Sequence, residues 1–103
     1  MADPMKIRAN AAAGVTEVKV LMAHPMESGQ RKDASGTLVP AHYITDVVVK
    51  HGERTVMECV WGQAVSQNPF LAFKFKGGAK GDKVSVSWKD NKGDTRTDEA
   101  TIA

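Results

Sequence analysis

Along much of this chain, hydrophobic and polar residues alternate with a period of two. Val18, Val20 and Met22 interleave with Glu17, Lys19 and Leu21, and Val84, Val86 and Trp88 with Ser85, Ser87 and Lys89. Leu71, Phe73 and Phe75 do the same with Ala72 and Lys74. Successive side chains of a strand point to opposite faces, so these runs predict strands with the apolar set turned inward. Residues 43–50 and 54–61 are rich in β-branched and aromatic residues and predict two more. Residues 6–9 and 97–102 supply a first and a last strand, and Asp90-Asn91-Lys92-Gly93-Asp94 is a turn of residues that tolerate positive φ. The longest irregular piece runs from about Ala23 to Pro40, and no segment sustains a helical period. About seven short strands with turn signals between them predict one all-β domain over residues 1–103, an antiparallel sandwich.

His51-Gly52-Glu53-Arg54 places glycine at the first central position of a two-residue loop, as a type II′ turn requires, and pairs His51 with Arg54. An unbroken ladder from that turn puts Val47, Val49, Val56 and Val60 on one face with Glu58. Ile44, Val48, Met57, Cys59 and Trp61 then share the other with Asp46 and Lys50. A hairpin apolar on both sides implies that its outer face is covered, by the domain's own loop or by another protein.

Composition narrows the class. At 103 residues the chain can bury a modest core, and 42% hydrophobic with 25% charged residues suits a globular protein, not a disordered or membrane-spanning one. Fourteen basic against twelve acidic residues, evenly mixed along the sequence, argue against the clustered positive field of a nucleic-acid binder. A single cysteine, Cys59, excludes an internal disulfide and any multi-cysteine metal site. The opening Met-Ala-Asp-Pro-Met-Lys-Ile-Arg lacks the basic and apolar regions of a secretory signal, which read alone implies the cytoplasm.

The densest chemistry lies in His24-Pro-Met-Glu-Ser-Gly-Gln-Arg-Lys-Asp33, a segment richer than a chain reversal needs. His24 with Met22 and Met26 offers donor types suited to copper, but the ligand set is incomplete, and a structural or interface role for His24 is the simpler reading. His42 and His51 lie at strand ends, where exposure is the default. Arg31-Lys32 is a solvated pair or an electrostatic docking element. Cys59, between Met57 and Trp61, is an inert apolar thiol. No nucleophile elbow or dinucleotide fingerprint is present, and Gly77-Gly78-Ala79-Lys80-Gly81-Asp82 lacks the ending of a phosphate loop. The residues therefore predict no enzyme, metal or cofactor.

With Val-Lys-Val-Leu-Met-Ala at 18–23, Val-Trp-Gly at 60–62, Asn-Pro-Phe at 68–70 and Trp-Lys-Asp-Asn-Lys-Gly-Asp at 88–94, that segment closely resembles the SoxZ family, the Z subunits of the SoxYZ sulfur carrier of bacterial thiosulfate oxidation. The resemblance implies an immunoglobulin-like sandwich and an obligate Y partner carrying substrate on a cysteine in a mobile glycine-rich arm, which this chain lacks. It implies a periplasmic location, reached by export with that partner. On that reading Ile44, Val48, Met57 and Trp61 face the Y subunit, and His24, Met26, Glu27, Arg31 and Lys32 form a loop read by the enzymes of the system. Two other readings stay open: a stand-alone copper- or persulfide-binding protein, and a self-associating structural sandwich.

Overall fold

The computed structural model describes residues 4–103; Met1-Ala2-Asp3, part of the segment read for a signal, lies outside them. Seven strands make up the described fold: β1 (Lys6–Ala12), β2 (Val15–Leu21), β3 (Ile44–His51), β4 (Arg54–Val60), β5 (Phe70–Lys76), β6 (Lys83–Asp90) and β7 (Thr95–Thr101). They form two antiparallel sheets, ordered β1-β2-β5 and β4-β3-β6-β7. The all-β antiparallel sandwich is as the alternation predicts.

The inward phase of each strand builds the core. Val18 and Val20 of β2, Val47 and Val49 of β3, and Val84, Val86 and Trp88 of β6 are buried together, with Met22, Ile44 and Ile102 closing the ends. The sandwich is sealed along one side, where β1 meets the chain end through Ala11 N–H to Ala103 O (3.1 Å) and Ala103 N–H to Ala9 O (2.9 Å). On the other side β4 and β5 are sheet edges, each paired to one neighbour only.

The central hairpin turns as expected and then departs from the expected register. His51 pairs with Arg54 across Gly52, whose φ of 62° is the conformation that demands glycine there. Beyond Lys50↔Thr55 the ladder shifts, so that Val49 meets Met57, Val47 meets Cys59 and Val48 meets Glu58. Val56 is the extra residue, and a bulge of one residue exchanges the faces of everything that follows it. Met57 and Cys59 therefore pack toward the core with Val47 and Val49, while the outer face carries Asp46, Val48, Lys50, Glu58 and Val60. The expectation of a hairpin apolar on both sides is thus corrected: its outer face is mixed, and Val60 is its exposed apolar residue at 86%.

The segment between β2 and β3 is more ordered than its composition suggests. Glu27 and His42 exchange backbone hydrogen bonds of 2.7 and 2.9 Å, Val39 N–H bonds Arg31 O at 2.8 Å, and Lys32 bridges Leu38. The Asp33 carboxylate receives the Ser35 and Thr37 amides at the tip. This is an arm that doubles back on itself as a loose ladder.

Candidate functional site: a buried histidine–aspartate cluster

Three of the sequence's distinctive strings converge at one end of the sandwich. The arm leaves β2 at Met22, whose N–H donates to Pro69 O at 2.9 Å. Two residues on, His24 and Asn68 are clamped together: His24 N–H donates to Asn68 Oδ1 at 3.1 Å and Asn68 N–H to His24 O at 2.9 Å. Asn68 sits at φ 51°, a left-handed conformation that asparagine tolerates better than most residues. The β6–β7 turn reaches the same place. Asn91 accepts from Tyr43 N–H (2.8 Å), donates to Ala41 O (2.9 Å), and gives its own N–H to Tyr43 O (3.0 Å).

Asp90 joins these pieces. Its side chain is fully buried, and its Oδ2 receives His24 Nε2 at 3.0 Å and His42 Nε2 at 2.7 Å. Its Oδ1 takes the Lys92 and Asp94 amides at 3.0 and 2.9 Å, an aspartate folding the turn back onto itself. Burial alone would raise this carboxyl, but the hydrogen bonds from His24, His42 and the two amides outweigh it and hold it below its ordinary value. Asp90 is therefore ionised and only accepts, which places a proton on Nε2 of both histidines.

The His24 ring is fixed further. Nδ1 accepts the Met26 N–H at 3.1 Å, so with Nε2 donating to Asp90 the ring is neutral and its tautomer determined. Burial lowers its pKa most; the Asp90 hydrogen bond opposes this, nearby His42 reinforces it, and the net shift is downward. The ring stands edge-on to Trp88 (centroids 5.1 Å, 90°) and to His42 (4.5 Å, 66°). Two imidazoles and a carboxylate with ligand atoms within 4.8 Å of one another have the composition of a metal site. The bonding opposes that use: a metal on His24 Nε2 would move the proton to Nδ1, against the Met26 N–H. Met26 sulfur is also engaged, accepting the Ile44 N–H at 3.3 Å. Of the copper reading's donors, the His24 ring and the Met26 sulfur are thus both engaged and Met22 is buried in the core, and the cluster offers no nucleophile.

The arrangement redistributes the candidate residues. His24 and Met26, expected on an exposed loop, are buried at 4% and 6%, because the first anchors the arm to Asp90 and the second plugs the space beneath Ile44. Glu27 is half-buried and holds Arg31 Nε at 2.9–3.0 Å, while Arg31 and Lys32 are exposed as expected. Ile44, Val48, Met57 and Trp61 do not share a face: Ile44 is fully buried, Met57 and Trp61 pack against the core, and Val48 lies on the outer side. His42 and His51 are not freely exposed at their strand ends: both are partly buried, and His42 Nε2 meets Asp90 Oδ2 and His51 Nε2 meets Asp82 Oδ2, each at 2.7 Å. Cys59 is a partly buried free thiol whose pKa is raised by burial, as its apolar neighbours imply. Sequence reasoning missed Asp90, His42 and Asn68. The available signal was three histidines against aspartates sitting in turns, which says nothing about pairing until register is known.

Fold and site together define an all-β sandwich domain whose loops are locked by a buried histidine–aspartate cluster. The family described as sulphur oxidation protein SoxZ matches residues 5–101, nearly the whole chain. The chain belongs to the SoxZ family, and thereby to sulfur oxidation. No curated protein matches it. Among solved structures it is similar to two variants of the superoxide reductase neelaredoxin from Archaeoglobus fulgidus, both in the reduced form. One is 18% identical with TM-score 0.61, over 99% of this chain and 90% of that one. The other is 20% identical with TM-score 0.61, over 97% and 86%. At such identities the likeness is one of fold.

Proposed function

We propose that this chain is the non-catalytic subunit of a periplasmic sulfur carrier, exported with and permanently bound to a SoxY-like subunit that holds the substrate on its own cysteine arm. The observation that carries the proposal is the family match over residues 5–101. The site supports it: the buried cluster spends its donors and acceptors on holding the arm, the 68–70 segment and the β6–β7 turn in place. Cys59 supports it too, since a thiol inside a strand with a raised pKa suits neither loading nor delivery of sulfur.

With the hairpin register corrected, the partner surface is best placed at the free edge of β4, where Val60 is 86% exposed beside Trp61 and the outward Val48. An edge strand offers unpaired backbone groups, and large apolar side chains anchor interfaces. The arm bearing Arg31 and Lys32 remains wet and meets the enzymes of the system. The test is co-expression with a SoxY-like subunit, followed by intact-mass analysis after sulfur loading. We expect a stable heterodimer with the adduct on the partner alone, and about tenfold or greater loss of assembly in Val60→Asp. A stoichiometric adduct on Cys59, or no assembly with the wild-type chain, would sink the proposal.

A further inference from the structure

The outer face of the three-stranded sheet sorts charge in a way the linear sequence hides. The outward phases of β1, β2 and β5 bring Lys6, Arg8, Lys19, Lys74 and Lys76 to one surface, all exposed, with Glu17 as its carboxylate. Five cations against one anion leave this face four positive, whereas the whole chain is only two positive. The rest of the molecule is therefore net negative, by two. Glu17 is shared between Lys19 (3.6 Å) and Lys74 (3.8 Å). Among the described residues no carboxylate lies within ion-pair distance of Lys6, Arg8 or Lys76. Register even sets like charges side by side, Arg8 directly across from Lys19. Cross-strand like pairs destabilise a sheet, so the arrangement opposes the fold's own stability.

The opposite sheet is a built-in contrast. Its outer face carries Asp46, Glu58 and Glu99 against Lys50, Lys83 and Lys89, which balance. The positive face is thus one-sided. It also has an apolar centre of contact at one end, where Leu21 (41% exposed) pairs in register with Phe70 (62% exposed) next to Lys6. A hollow of about 340 Å³ borders Phe70 and another of about 240 Å³ borders Lys6 and Leu21, and Asn68 lines both. Apolar anchors ringed by cations match the anatomy of a protein–protein contact, and a charge-dominated face favours fast, reversible encounter.

We infer that the outer face of β1-β2-β5 is a docking surface for a transient protein partner whose own surface is acidic with an apolar protrusion. The occupant follows from charge complementarity. A single-stranded nucleic acid would want several stacking aromatics on the sheet, and this face presents Phe70 at its margin, with Ala12, Ala72 and Val15 elsewhere. The inference rests on the reading that the chain works inside an assembly visited by other proteins, while leaving the β4 edge to the permanent partner.

The experiment is titration of the full chain, alone and assembled with the SoxY-like subunit, with four probes. Two are peptides of equal charge, one all-glutamate and one with a leucine–phenylalanine pair among the glutamates. The others are oligothymidylate and phosphatidylglycerol vesicles. We expect the mixed peptide to bind best, with loss of affinity of about tenfold in Arg8→Glu or Lys74→Glu and about fivefold in Phe70→Ala. Lys50→Glu and Lys83→Glu on the opposite sheet should change affinity less than twofold beyond the general charge effect, by order of magnitude. Equal or tighter binding of oligothymidylate or vesicles, indifference to Phe70→Ala, or no binding of either peptide would overturn the inference. So would loss of assembly with the SoxY-like subunit in these variants, because the face would then belong to the permanent interface. Failure of the wild-type chain to assemble would count against the proposed function alone, since titration of the single chain still decides the docking surface.

Discussion

His24 and Asp90, sixty-six residues apart, meet through Nε2 and Oδ2 at 3.0 Å with both side chains essentially excluded from solvent. The bond joins the start of the arm to the end of β6, and His42 closes the same carboxylate from the other side. Removing the acceptor strands the buried His24 donor, the partly buried His42 donor and two turn amides together. Asp90→Ala should therefore cost about 3 kcal/mol or more of unfolding free energy in denaturant melts. Asp90→Asn keeps an acceptor oxygen and should lose less; equal loss in both would mean that the charge matters more than the hydrogen bonds.

The same cluster sets a pH dependence with a definite sign. The folded-state pKa of His24 lies below its ordinary 6.5, so the unfolded chain takes up that proton first. Stability from this group is present above about 6.5 and falls as pH drops through the folded value. Asp90 adds a second loss at lower pH, since its depressed pKa stabilises the fold above the ordinary carboxylate value and fails as pH falls through the folded one. Denaturant midpoints should decline from pH 7.5 to 5. His24→Gln, which retains a donor for Asp90, should show a flatter slope over that range from a lower starting stability. An unchanged slope would assign the dependence to other groups.

Why the strands were legible and the site was not is a matter of range. Val18-Val20-Met22 and Val84-Val86-Trp88 announce their inward faces locally, because alternation is a property of a few adjacent residues. The hairpin turn was equally local, and Gly52 settled it. The bulge at Val56 was not: neither phase of β4 is distinctly polar, so nothing in Arg54–Val60 penalises a slip, and the choice is made by packing against the other sheet. Asp90 looked like an ordinary turn residue because its turn bonds to Lys92 and Asp94 are local, while its histidine partners are not. The positive sheet face was hidden for a related reason: cations spread evenly along the sequence fall in one phase on β1, β2 and β5.

Cys59 offers a direct check on the corrected register. Facing Val47 toward the core, with its pKa raised by burial, the thiol should react with a disulfide reagent at pH 8 at least about tenfold more slowly than the same thiol in denaturant. Rapid stoichiometric labelling of the native chain would place Cys59 on the outer face and restore the unbulged ladder.

The Glu27–Arg31 pair separates a structural arm from one that is read by enzymes. Arg31 Nε bonds both Glu27 oxygens at 2.9–3.0 Å, but the arginine side chain is 61% exposed, so the pair contributes only about 0.5 kcal/mol to stability. Arg31→Glu should accordingly leave the melting curve almost unmoved. It should slow turnover of the reconstituted thiosulfate-oxidising system a few-fold at low salt, by order of magnitude, with the deficit shrinking as salt screens the encounter. The decisive variant is the exchange Glu27→Arg with Arg31→Glu, which re-forms the pair with its charges transposed. If the arm serves only to hold itself together, the exchange restores wild-type turnover. If the exposed Arg31 guanidinium is what the enzymes meet, the exchange remains slow at low salt while the unfolding curve stays at wild type, and that combination is the expected result.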